Sequence, residues 1–271
     1  LAIRARPDSA DGSTIRINGD VVEVGKSVSS KTARRVAVVI SLIVGVIFGS
    51  QFNANWSEIL LMFNAQSFGT TDPQFGLDNG FYVFVLPGLK LVLAAVAMLL
   101  GVGLVFSVVT HVLMGGIRIT MPVNGRGLFS ITKRCRRQLG IWLMLNMFAW
   151  AVRQMIGVFD QLTVQGSRIT GASYTAVHAN IPVTFIMAAL TAILGVVLGI
   201  WLMRSHTLEG QASIGVRASA ALKAWRVPVT SIAVVVVVGL VLTVAWPVLL
   251  QRFRVNPNAQ EMESTYIQRN I

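Results

Sequence analysis

Apolar residues run along this chain in long blocks separated by short polar ones. Five blocks, at about 36–52, 89–113, 139–159, 183–203 and 229–250, approach or pass the roughly 20 residues that a helix needs to cross a bilayer. Lipid offers no partners to backbone N–H and C=O groups, so such blocks satisfy them within a helix. The pattern predicts an all-α polytopic transmembrane bundle over 36–250, preceded by a polar segment (1–35) and followed by a polar tail (251–271). Two shorter patterns stand apart. "STIRINGDVVEVG" alternates apolar and polar residues around Asn18-Gly19, a hairpin signal. "NWSEILLMFNAQSFG" is too short to span, and predicts an interfacial helix with Ile59, Leu60, Met62 and Phe63 at the surface and Trp56 as anchor.

Composition agrees with the pattern. Hydrophobic residues make up 54% of the 271 and charged residues only 13%, about half the charged share of a soluble domain. The net charge of +12 would suggest nucleic acid if it formed one basic face. Instead the cations cluster beside the spans, and the nucleic-acid reading is set aside. Segments 1–35, 114–138 and 204–228 carry seven, six and four Lys or Arg. None lies between the first two spans before Lys90, and only Arg168 lies between the third and fourth. The positive-inside rule therefore puts 1–35 and the two basic loops in the cytoplasm, and the other loops and the C-terminal tail on the outer side of the membrane. Arg252, Arg254 and Arg269 of the tail run against the bias.

The segment "TTDPQFGLDNGFYVFVLPGLK" (70–90) resembles neither apolar neighbour. Asp72-Pro73 and Gly76 suit a turn, and Asp78 or Asn79 suits the cap of the entering helix. Phe81, Tyr82 and Phe84 read as an interfacial aromatic belt. Pro87 should kink the helix and leave a carbonyl for a neighbour to satisfy. A second reading lets Asp72 and Asp78 bind a cation or a partner.

Polar groups inside spans are expensive and raise a functional question. Span three carries Asn146, Arg153, Gln154 and Asp160. Arg153 and Asp160 are seven residues apart, on one helical face, and are expected to form an interfacial pair that pins helix packing; a substrate or proton site is the alternative. Asn146 lies deeper and is expected to hydrogen-bond a neighbouring helix. Gly101 and Gly103, with Gly195 and Gly199, permit close helix approach. Cys135, the sole cysteine, reads as an ordinary loop residue. His111, His178 and His206 are not at ligand spacing, so neither metal nor cofactor is expected. No nucleophile–base motif appears, and the expectation is that the chain is not an enzyme.

Four stretches carry a resemblance: "DPQFGLDNGFYVFVLP", "HVLMGGIRI", "TGASYTAVHANIP" and "RVNPNAQEMESTYIQRNI". Over about residues 36–271 the sequence resembles the membrane half of the UPF0182 family, large uncharacterised integral membrane proteins, mostly of actinobacteria. The resemblance implies a longer protein of seven spans and a large extracytoplasmic domain, with this chain starting after the second span. The opening "LAIRARPDSADG", with no Met and no signal pattern, fits that expectation. Where family members often carry a Lys and an Asp-Arg pair in span three, this chain has Trp150 and Gly157-Val158. It has Ala176 and His178 where an acid and an Asn are common.

Two functions follow as expectations. The first is a cell-envelope scaffold, held in the lipid bilayer, that anchors an extracytoplasmic domain or partner subunit. Asp72, Asp78, Tyr82, Tyr174 and His178 are its candidate docking residues. The second is a transporter or channel subunit for a lipid or small solute, lined by Asn146, Arg153, Gln154 and Asp160.

Overall fold

The apolar blocks fold as helices, and most reach beyond the hydropathy boundaries. The computed structural model describes residues 14–17, 20–23, 30–114, 116–119, 129–163, 171–205 and 214–270. Helix α1 is Ser30–Ala54 and α2 is Trp56–Phe63. Next come α3 (Leu86–Leu113), α4 (Lys133–Gly157) and α5 (Ile181–Arg204). Then follow α6 (Ile214–Leu240), a short α7 (Trp246–Leu250) and α8 (Ala259–Asn270). Joined to their flanking turns, four stretches are long and apolar enough to cross a membrane: Phe81–Leu113, Lys133–Leu162, Ala176–Arg204 and Trp225–Val255. These four are compatible with a membrane protein. The block at 36–52 lies in α1, outside those four.

Two antiparallel hairpins accompany the helices. Strands β1 (Thr14–Ile17) and β2 (Asp20–Glu23) pair with Ile17 opposite Asp20. The alternation thus forms the expected ribbon, while its Asn18-Gly19 turn lies outside the described residues. Strands β3 (Ile117–Ile119) and β4 (Phe129–Ile131) pair with Ile117 opposite Ile131.

Four prolines share one local solution. The π-helical turns Phe81–Val85, Ala176–Asn180, Val241–Ala245 and Gln251–Val255 each end two residues before a proline: Pro87, Pro182, Pro247 and Pro257. In each, the residue just before the proline donates to the carbonyl five back, Leu86 to Phe81 and Ile181 to Ala176 in the first two. Trp246 to Val241 and Asn256 to Gln251 repeat the pattern. Proline has no N–H, and its ring collides with the carbonyl four residues earlier. Widening the turn by one residue relieves the collision and recovers a hydrogen bond. The kink expected at Pro87 is therefore a widened turn.

The contacts divide into two compact units. The first comprises Leu1–Ser50, Gly101–Leu143 and Leu198–Val227. Its core gathers Ile117, Ile131, Cys135 and Leu139, with Leu104 and Leu202 packed against them. Cys135 is fully buried in the first turn of α4, which corrects its reading as a loop residue. Basic flanks mark the end of a helix as readily as a loop, and here α4 has already begun at Lys133. Gly103 lets Trp142 sit against α3: a Cβ there would lie 2.5 Å from the indole. His111 is buried, its Nε2 3.1 Å from Gln138 Oε1.

The second unit comprises Gln51–Leu100, Met144–Val197 and Pro228–Ile271. Here Gly195 accepts Met147, whose Cβ would lie 2.4 Å from a Cβ at that position. Asn146 Nδ2 donates to the Leu100 carbonyl on α3 (3.1 Å), the interhelical bond expected of it. Helix α2 seats Met62 and the Glu58 carbonyl against Gly88. Ile59 and Met62 are therefore half-buried, while Trp56, Leu60, Leu61 and Phe63 are exposed. The exposed stripe follows the helical period from Trp56 and includes only part of the expected set.

Candidate functional site

The candidate residues fall into three groups, all in the second unit. The first is the 70–80 loop. Asp72 N–H donates to the Leu77 carbonyl, Gly76 N–H to the Asp72 carbonyl, and Asn79 N–H to the Thr70 carbonyl. Gly76 has φ +69°, a conformation that glycine enters without a steric cost. The Asp72 carboxylate is buried and accepts from Gln74 N–H (3.0 Å), Phe75 N–H (2.5 Å) and the Tyr82 hydroxyl (3.1 Å). Asp78 accepts from the Ser67 hydroxyl (2.5 Å) and from the N–H groups of Phe68, Gly69 and Gly80. The Gly80 bond is a helix N-cap, so Asp78 rather than Asn79 supplies the cap. Asn79 instead donates its side-chain amide to Thr70 Oγ1. The Ser67 hydroxyl, then the Phe68 and Gly80 N–H groups, lower the Asp78 carboxyl from 3.8 to about 2 against an opposing desolvation. Both carboxylates are thus engaged by donors of the loop and of the residues that flank it, 67–69 and Tyr82.

The aromatic residues at 81–84 build a cluster more than a belt. Phe159, just after α4, takes edge-on contacts from Phe75, Phe81 and Tyr82 at 5.0, 5.3 and 6.2 Å between centroids. Phe84 meets Phe68 at 5.5 Å.

The second group is the polar row of α4. Asp160 lies in the 3₁₀ turn Val158–Leu162 that follows the helix. Lys90 of α3 donates to both of its oxygens (2.8 and 2.9 Å), and the two side chains are 46% and 36% exposed. This corrects the expected Arg153–Asp160 pair. Arg153 is two helical turns away, about 10 Å along the axis, and α3 brings Lys90 directly opposite the carboxylate. Gln154 turns to α5 and donates to Thr191 Oγ1 (3.1 Å). Asn146 and Asp160 therefore engage α3, Gln154 engages α5, and Arg153 is exposed. No described residue hydrogen-bonds or ion-pairs with it.

The third group joins the "GASYT" loop to the tail. Within the segment read from sequence as a polar tail, residues 251–255 form a π-turn and 259–270 form α8. The Tyr174 ring stacks on His178, with centroids 4.1 Å apart and planes at 17°. Tyr266 of α8 closes edge-on against both, at 5.8 and 6.2 Å. Tyr174 N–H donates to Glu263 Oε2 (3.2 Å). His178 Nδ1 donates to the Tyr174 carbonyl (3.1 Å), and the Tyr266 hydroxyl lies 3.4 Å from that nitrogen. Arg254 sits over the Tyr174 ring, 5.8 Å from its centroid, and the Thr175 hydroxyl donates to Gln251. Glu263, Tyr266, Gln251 and Arg254 were not among the sequence candidates. Nothing local marks them, because their partners lie more than 75 residues earlier in the chain. Among the described residues, no group of three or more His, Cys, Asp or Glu could hold a metal ion.

Comparison with known proteins places this arrangement in a family. A UPF0182 protein of Bifidobacterium adolescentis is 79% identical over 271 residues, covering 100% of this chain and 25% of the relative. A UPF0182 protein of Corynebacterium efficiens is 30% identical over 275 residues, covering 100% of the chain and 25% of the relative. One from Kocuria rhizophila is 35% identical over 239 residues, covering 87% and 22%. The chain thus spans about a quarter of the length of the curated relatives it matches. No solved structure matches it. The family model described as "Uncharacterised protein family (UPF0182)" matches residues 2–271, and the chain belongs to that family.

Proposed function

We propose that this part of the protein is a membrane anchor, with the Tyr174–Tyr266 contact as a mount for a following extracytoplasmic domain or partner subunit. The observation that carries the reading is the clasp itself. Its ring contacts, its charge-assisted bond from Tyr174 to Glu263 and the Arg254–Tyr174 contact hold the end of the described chain against a loop between two apolar helices. The chain spans about a quarter of the relatives' length, which supports a substantial further part of the protein for it to hold. In this reading α1 is the fifth span, since 25 residues rise about 37 Å. Helix α2 lies in the interface on Trp56, Leu60 and Phe63, and the basic loops face the cytoplasm. The role is binding and support, without catalysis.

The experiment is limited proteolysis of the native protein in right-side-out vesicles, following cleavage within 251–271 and recording the intact mass. The anchor reading expects a mass several times the 29.3 kDa of this chain. It also expects Glu263→Ala/Tyr266→Ala to be cut several-fold faster than wild type while the spans stay whole. A mass near 29.3 kDa, or equal cleavage rates, counts against it.

A second reading, a transporter or channel subunit for a lipid or small solute, draws on the exposed Arg153 between Asn146 and Asp160. Arg153→Leu that folds yet abolishes flux in proteoliposomes would favour it over anchoring alone.

A further inference from the structure

Helices α3 and α4 meet at two levels of the second unit. At one, Asn146 donates to the Leu100 carbonyl; at the other, Lys90 pairs with Asp160. Asn146 and Arg153 are seven residues apart on α4, a spacing that drifts by only about 20° around a helix, and Asp160 follows seven residues later in the 3₁₀ turn. Arg153 therefore lies on the same seam, midway between two closed contacts. The seam is open there. Arg153 is exposed, Trp150 is 62% exposed, and a Cβ on Gly157 would meet nothing within 4 Å. Lys90 is paired with Asp160, so the exposed Arg153 leaves this stretch of the seam with a net charge of +1. An exposed guanidinium on a membrane span calls for an anion within its reach.

We propose that this opening holds the phosphate of one anionic phospholipid. The inference rests on the reading of α3 and α4 as spans, given above. Arg153 extends along the seam toward the level of the ion pair, as long basic side chains do near a membrane boundary. Its planar fork takes two phosphate oxygens, a geometry that an ammonium does not match. Gly157 leaves room for the glycerol, Trp150 packs against the upper acyl chain, and Lys90 adds positive potential at the rim. A phospholipid fits better than a free phosphate because the anion site opens between apolar helix faces instead of into a polar hollow.

The test is lipid retention by the intact protein, purified in mild detergent and titrated with dioleoylphosphatidylglycerol or dioleoylphosphatidylcholine under native mass spectrometry. Wild type is expected to keep one phosphatidylglycerol per chain. Arg153→Gln should weaken that binding about tenfold or more, the scale of a lost charged hydrogen bond. Gly157→Leu, which fills the gap and leaves the charge, should weaken it as well, and Arg153→Lys should restore it only in part. Tyr266→Ala in the clasp should leave retention unchanged, so this proposal and the anchor reading fail separately. Equal retention by Arg153→Gln and wild type would overturn the proposal. So would equal retention of the two lipids, displacement by millimolar inorganic phosphate, or a dimer that buries Arg153 and excludes lipid.

Discussion

Lys90 and Asp160 are ion-paired at 2.8 Å across α3 and the turn after α4, seventy residues apart in sequence. Both side chains keep more than a third of their surface exposed, so the pair is screened and holds the long Lys90 side chain in a fixed geometry at an entropic cost. Asp160→Asn is therefore expected to lower stability by no more than about 1 kcal/mol. Thermal unfolding in detergent checks this, and a much larger loss would mean that the pair is the main tie between the helices.

Glycine packing separates the tight seams from the open ones. Ala at Gly195 would bring a Cβ within 2.4 Å of Met147 Cβ, an atom close to the α4 backbone. We expect Gly195→Ala to cost about 1–3 kcal/mol through overpacking. Gly45→Ala in α1 meets nothing within 4 Å and should be neutral or slightly stabilising, because alanine is the better helix former. Equal effects in the same unfolding assay would contradict this contrast.

The 70–80 loop should respond to acid through Asp78. Its carboxyl is lowered to about 2 in the folded loop from 3.8, so the folded state binds the proton more weakly than the unfolded state. The stabilisation is fully present above about pH 4 and is lost as pH falls toward 2. Hydrogen exchange of the Phe68, Gly69 and Gly80 amides should accelerate relative to the rest of the chain over that window. Asp78→Asn should remove the dependence.

Much of this architecture was legible in the residues. Block lengths gave the helices, alternation gave the first hairpin, and Asp72-Pro73 with Gly76 gave the turn, because each depends on neighbours in sequence. Asn146 was legible too, since a polar group deep in a span has few partners other than another helix. The Lys90–Asp160 pair was not. The i+7 spacing made Arg153 the natural partner, and the crossing of α3 decided otherwise. Nor could spacing reveal the clasp, because Tyr174 and Glu263 stand 89 residues apart and are brought together only by the tertiary packing of the chain between them. The π-turns before Pro87, Pro182, Pro247 and Pro257 lie between these cases: a proline announces a disturbed helix, and the form of the disturbance follows from packing.

The clasp is the centre of the anchor account, and hydrogen exchange of the native membrane-embedded protein tests it most directly. Tyr266→Ala removes the edge-on ring from both Tyr174 and His178, an aromatic contribution of about 0.5–1.5 kcal/mol per pair. The account predicts that amides of 172–180 and of α8 lose protection together in this variant, about three- to tenfold, while those of α3 and α4 do not change. Loss of protection in α8 alone, with 172–180 as slow as in wild type, would contradict it.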